Sequence, residues 1–114
     1  MEFISLLTGE ESRFDSKQVR LWEAAVLDGA EKTRVHIAQY DKEALLGRHP
    51  TNLWQLFMVI EGSGWVAGED NVLHAISAGE AVVWHPGEEH KSGSATGMSV
   101  LILSSTNDPR QNAA

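Results

Sequence analysis

Four side chains in this sequence could carry chemistry. The stretch HPTNLWQLFMVIEGSGW, His49 to Trp65, opens on an imidazole and places an amide, Gln55, at the mouth of an apolar run. An imidazole nitrogen can ligate a divalent metal or exchange a proton, and an amide oxygen can ligate or accept a hydrogen bond. Residues two apart on a strand share a face. A strand that starts early enough therefore puts His49, Thr51, Leu53, Gln55, Phe57 and Val59 on one side. If that side is an interior, Thr51, Phe57 and Val59 line a pocket around the polar pair. A second segment, EAVVWHP (80–86), ends on His85, which shares the face of Ala81 and Val83, so Val83 is a further pocket candidate. His90 follows shortly after.

The elements that must position these residues read as β-strands. The alternation in RVHIAQY (34–40) sets Val35, Ile37 and Gln39 on one face and His36, Ala38 and Tyr40 on the other. LWQLFMVIEG (53–62) is apolar on both faces, as in a strand covered on both sides. Leu56, Met58 and Ile60 then point outward and need a cover, either the N-terminal strands or a second subunit. WVAG, VLHAI (72–76), EAVVWHP and MSVLIL (98–103) are further strands, separated by turns at EGSG, GEDN and SAG. QVRLWEAAVL (18–27) fits a strand or a helix, and the Asp28-Gly29 pair after it is a hairpin signal. DKEALLGRHP (41–50) reads as a connector. Seven or eight short strands at hairpin spacing predict an all-β sandwich or barrel.

Bulk properties narrow the function classes. With 114 residues one domain is expected. Residues 1–32 are expected to form an arm and strands, with a short strand among the apolar pieces from Phe3 to Leu7; 33–104 the sandwich or barrel itself; and 105–114 a polar, disordered tail. The formal net charge of −7, with lysines and arginines scattered singly, argues against nucleic acid and against an anionic membrane surface. Cysteine is absent, which excludes disulfides and zinc–thiolate sites and fits a reducing compartment. No signal peptide or membrane span is recognisable, so a cytoplasmic protein is expected.

GEAVVWHPGEEH, Gly79 to His90, resembles the second conserved motif of the cupin family, with Gly79, Gly87 and His90 in register. The opening stretch is similar to the first cupin motif. His49 matches its first histidine, Thr51 stands at the second histidine, Gln55 at the glutamate, and Gly62 closes it. The resemblance spans roughly residues 33 to 103. It implies a double-stranded β-helix, or jelly-roll barrel, and commonly a homodimer. It also implies a barrel-interior site built on motif residues, usually three histidines and a carboxylate around a divalent metal.

This chain keeps His49 and His90 of that set and replaces the carboxylate by a neutral amide. His85, near the barrel mouth, could stand in for the missing histidine. Three imidazoles and the Gln55 oxygen could then hold zinc, nickel, iron, manganese or copper. His36 and His74 are expected at the surface or hydrogen-bonded, and Trp54 and Trp84 packed in the sheets. Three functions follow: a small-molecule enzyme, isomerase- or oxygenase-like; a non-catalytic binder of a small ligand with a degenerate metal site; or an interaction protein with a vestigial pocket. The two-histidine, one-carboxylate iron oxygenase arrangement is disfavoured, because the carboxylate is missing.

Overall fold

A computed structural model describes residues 1–5 and 9–110. Leu6 and Leu7 of the N-terminal arm, and residues 111–114 of the tail, lie outside the described residues. The strands are β1 (Gly9–Glu10), β2 (Lys17–Leu27), β3 (Thr33–His49), β4 (Trp54–Ala67), β5 (His74–Ser77), β6 (Ala81–Trp84), β7 (His90–Ser94) and β8 (Met98–Ser105). A single 3₁₀ turn, Arg13–Asp15, separates β1 from β2.

Two long strands make the barrel. The first half of β3 pairs with β2 and β8, and its second half with β7. Likewise β4 pairs first with β6 and β8, then with β5 and β7. Each thus passes from one layer into the other and closes the sheet into a jelly-roll barrel. The corners carry backbone that a flat strand does not need: Glu43 has φ 61°, Gly62 has φ 83°, and a bulge lies between Val59 and Glu61.

These corners account for two departures from the sequence reading. The expected connector at 41–50 is strand through His49, its charged DKE piece marking the bend. The expected turn at EGSG is a bend inside β4. Further differences are smaller: β7 was not anticipated, because HKSGS lacks apolar residues, and 18–27 is strand. The C-terminal segment is tied down as far as residue 110. Thr106 N–H donates to Lys32 O (3.1 Å), Asn107 bonds Glu31, and the Arg110 guanidinium lies 5.8 Å from the Trp54 ring centre.

Side-chain parity follows the pairing. Gln55, Phe57 and Val59 stand opposite Ser104, Ile102 and Val100, and the latter opposite Arg34, His36 and Ala38. This is the inner face. Its core is Val19, Ala38, Tyr40, Phe57, Val59, Trp84, Met98 and Val100. The outer face carries Trp54, Leu56 and Met58 beside Leu101, Leu103, Val35 and Ile37, all half-buried. Ile60 also points out and is exposed.

Candidate functional site

The cavity opens at the end of the barrel where β3 finishes and β4 begins. It measures about 270 Å³ and is lined by Glu11, Arg13, Phe14, Leu21, Arg34, His36, Leu46, His49, Pro50, Thr51, Leu53, Gln55, Ile102 and Ser104. His49 is the last residue of β3 and Gln55 the second of β4, so they lie on two strands joined by residues 50–53, not on one. Both still reach the cavity. Thr51 does so from the joining loop, where its carbonyl accepts from Gly87 N–H at 2.6 Å.

His49 and His90 meet directly. They are cross-strand partners of β3 and β7, and their ring centres are 4.6 Å apart at 65°. The local backbone orients both. His49 Nδ1 lies 2.6 Å from Gly47 O, and His90 Nδ1 lies 3.0 Å from Glu88 O. A carbonyl only accepts, so each Nδ1 carries the proton and, in a neutral ring, each Nε2 keeps a free lone pair. His90 is buried, and its Nε2 has no hydrogen-bond partner among the described residues. Burial, with His49 beside it, pushes its pKa down to about 4, so the ring is neutral near pH 7.

Aromatic rings fix the pair from both sides. Phe14 stacks on His49 at 4.6 Å and 15°, and Trp84 stacks on His90 at 4.0 Å and 10°. Trp84 meets Phe57 edge-on, and Phe57 meets Tyr40, whose hydroxyl is 2.7 Å from Ser92 Oγ. Phe57 and Val59 are therefore core supports beneath the histidines rather than walls of the mouth cavity.

Two other expected site residues point elsewhere. Trp84 faces inward opposite Gln55, so its neighbours on the strand face out. Val83 consequently lies on the outer face opposite Leu56. His85 is exposed and packs on Trp54 at 4.6 Å, away from the His49–His90 pair. His85 and Val83 thus drop out of the site. His36, expected at the surface or merely hydrogen-bonded, instead lines the cavity, its Nε2 3.3 Å from Glu23 Oε2. Its parity with Ala38 and Tyr40 was the available signal. Glu11, Arg13 and Arg34 were not anticipated either.

A divalent metal fits this set poorly. Among the described residues no group of three or more histidine, aspartate or glutamate side chains is placed to hold one. The Gln55 amide is neutral, and its Nε2 donates to Ser104 Oγ at 3.1 Å. Two guanidinium groups line the same cavity. Glu11, the carboxylate of the lining, is paired with Arg13, so two imidazoles would leave a cation's charge largely uncompensated.

No family model matches the sequence, and a search of curated proteins finds no significant relative. Solved structures do resemble the fold. The polyketide cyclase RemF from Streptomyces resistomycificus superposes with TM-score 0.75 at 17% identity, covering 96% of this chain and 82% of that one. An RmlC-like cupin from Shewanella frigidimarina gives 0.70 at 18%, covering 91% and 86%. A predicted oxalate decarboxylase from Thermotoga maritima gives 0.71 at 14%, covering 89% and 91%. The protein has the cupin fold. Among the described residues no helix is long and apolar enough to cross a membrane, which says nothing of membrane β-barrels.

Proposed function

We propose that the mouth cavity binds a small organic molecule and that His49 and His90 handle a proton or hydrogen bond from it, without a resident metal. The observation that carries this reading is the orphaned Nε2 of His90 beside His49. With Nδ1 on Gly47 O, the Nε2 of His49 in its neutral form is free to accept from a ligand hydroxyl, and the His90 Nε2 behind it has no donor among the described residues. His49, which lines the cavity, is the group a ligand meets; His90 lies behind it as a neutral acceptor. Proton transfer of the isomerase kind suits such a pair. Oxygenase chemistry does not, because the donor set lacks the carboxylate that a non-haem iron site uses. The cysteine-free sequence supports a cytoplasmic setting.

Protein purified without an affinity tag is expected to carry far less than one transition metal per chain by elemental analysis. Gln55→Glu, which restores an anionic ligand, retains more zinc after dialysis. A fragment screen by NMR shifts the amides of His49, Thr51 and Ser104, and His49→Ala weakens those fragments about tenfold, the loss of one good hydrogen bond. One metal per chain, lost in both His49→Ala and His90→Ala, overturns the reading in favour of a metal-centred enzyme. A ligand bound there but never turned over assigns the protein as a non-catalytic binder.

The outer face supports a second proposal. Leu56, Met58, Leu101, Leu103, Val35 and Ile37 form one uncharged surface across β4, β8 and β3. Soluble proteins seldom leave a contiguous apolar patch of this kind uncovered. A second copy of the chain is the proposed cover. Light scattering is expected to give the mass of a dimer, and Met58→Glu with Leu101→Glu that of a monomer; a wild-type monomer sinks the proposal.

A further inference from the structure

We infer that the ligand of the mouth cavity is a small organic acid whose carboxylate sits between Arg13 and Arg34, above His36. The inference rests on the reading of this cavity as a binding site and assigns its chemical class. Both guanidinium groups line the cavity, and each is held from one flank by a glutamate. Arg13 donates from Nε to Glu11 Oε1 at 2.7 Å and from Nη2 to Glu11 Oε2 at 3.1 Å. Arg34 Nε is 3.2 Å from Glu23 Oε2. Neither pair uses the whole fork. Among the described residues, the Nη1 of Arg13 and both terminal nitrogens of Arg34 stay outside these contacts and available to a ligand.

The division of exposure is informative. The Glu11 side chain is 9% exposed while that of Arg13 is 69% exposed. The anchor is fixed in the structure, and the cation it orients stands at the opening. His36, between β2 and β8 on the inner face, shares Glu23 with Arg34. Burial holds His36 below the ordinary histidine value; the Glu23 carboxylate opposes this, and the charges of Arg34 and Arg13 add to it. Basic residues from the 3₁₀ turn and from β3 therefore line one cavity, in a chain whose net charge is −7. The rest of the wall is apolar, with Leu21, Leu46, Leu53 and Ile102. A planar carboxylate accepts parallel N–H bonds from a guanidinium fork, and its apolar body fits the remaining wall. The lining holds two arginines and one carboxylate, Glu11, so its charge balance favours an anion over an organic cation.

The test compares benzoate with its neutral isostere benzamide, by NMR titration of the full-length protein. Both are expected to shift His49, Thr51 and Ser104. Benzoate binds at least about tenfold more tightly, the usual gain from charge-assisted over neutral hydrogen bonds. In Arg34→Met and in Arg13→Met the preference for benzoate falls towards parity, because benzoate loses more affinity than benzamide; two variants guard against one that misfolds. If both probes bind the cavity equally in the wild type, the acid assignment is overturned and the binding site stands. If neither shifts cavity residues, both readings fall together.

Discussion

Lowering the pH from 7 to 4 is expected to cost the protein about 3 kcal/mol of stability through His90 alone, and His90→Phe is expected to remove that loss. The sign follows from the direction of the shift. In the unfolded chain the imidazole protonates near 6.5; in the folded barrel it does so near 4. Between those values the unfolded state binds the extra proton, so stability rises with pH across that window. It is complete above 6.5 and lost as pH falls through 4. His36, also depressed by burial, adds a smaller slope of the same sign that the substitution leaves in place. Glu11 works in a different window: Arg13 holds its carboxyl below the ordinary carboxylate value, so its contribution fades only at more acid pH.

Phenylalanine is the informative replacement. It keeps a flat ring on Trp84, removes a buried nitrogen that has no partner, and gives up the Nδ1 bond to Glu88 O. Burying an unsatisfied polar atom costs about 1–3 kcal/mol and a lost hydrogen bond about 1 kcal/mol, so the variant should be about as stable as wild type at pH 7. The site should nevertheless lose its acceptor. A residue whose removal leaves the fold about as stable while weakening ligand binding is retained for function, not for structure. Urea denaturation midpoints at pH 7, 5.5 and 4 decide this. Parallel pH slopes for wild type and variant would show that His90 is not the titrating group.

Much of the barrel was legible because strands announce themselves by alternation. In 34–40 the pattern assigned both faces, and His36 was already grouped with Ala38 and Tyr40, its true neighbours on the inner side. In EAVVWHP it could not. Val82 and Val83 are both apolar, so nothing in the sequence says which one faces in, and a one-residue slip moves every side chain to the other face. The tie is broken by Trp84, whose ring has room only in the core against His90. That single parity removes His85 and Val83 from the site.

The histidine pair was legible for a different reason. His49 and His90 matched two motifs far apart in the chain, and β3–β7 pairing makes them direct neighbours. Arg13, Arg34 and Glu11 had no such signal. They reach the cavity through the β2–β3 register and through the fold of 11–16 against β3, which depend on contacts between distant segments. The bends in β3 and β4 were hidden likewise, since charged or glycine-rich corners resemble turns in sequence.

That contact between 11–16 and β3 makes Gly47 the position where one methyl group should do the most damage to the site. A Cβ on Gly47 would overlap the carbonyl oxygen of Phe14, which is backbone and cannot swing aside. Gly47 N–H also donates to Ser16 Oγ at 2.9 Å, and its carbonyl orients His49. Phe14 and Asp15 already sit at φ 60° and 56°, left-handed values that side chains other than glycine adopt at a cost of about 1–2 kcal/mol each. The segment is therefore strained and depends on its contact with β3. Gly47→Ala is expected to cost about 3 kcal/mol, the upper end for overpacking a filled site. It should release residues 12–16 from β3, so that Phe14 leaves the His49 ring. Two readouts report this together: the urea midpoint falls, and the His49 ring protons lose the shift that a stacked phenyl imposes. Gly29→Ala, where an added Cβ meets nothing, is the control and should leave both unchanged. A Gly47→Ala protein with the wild-type midpoint and an unchanged His49 signal would mean that 11–16 does not rest on β3 in solution, and that Phe14 and Arg13 do not belong to the cavity.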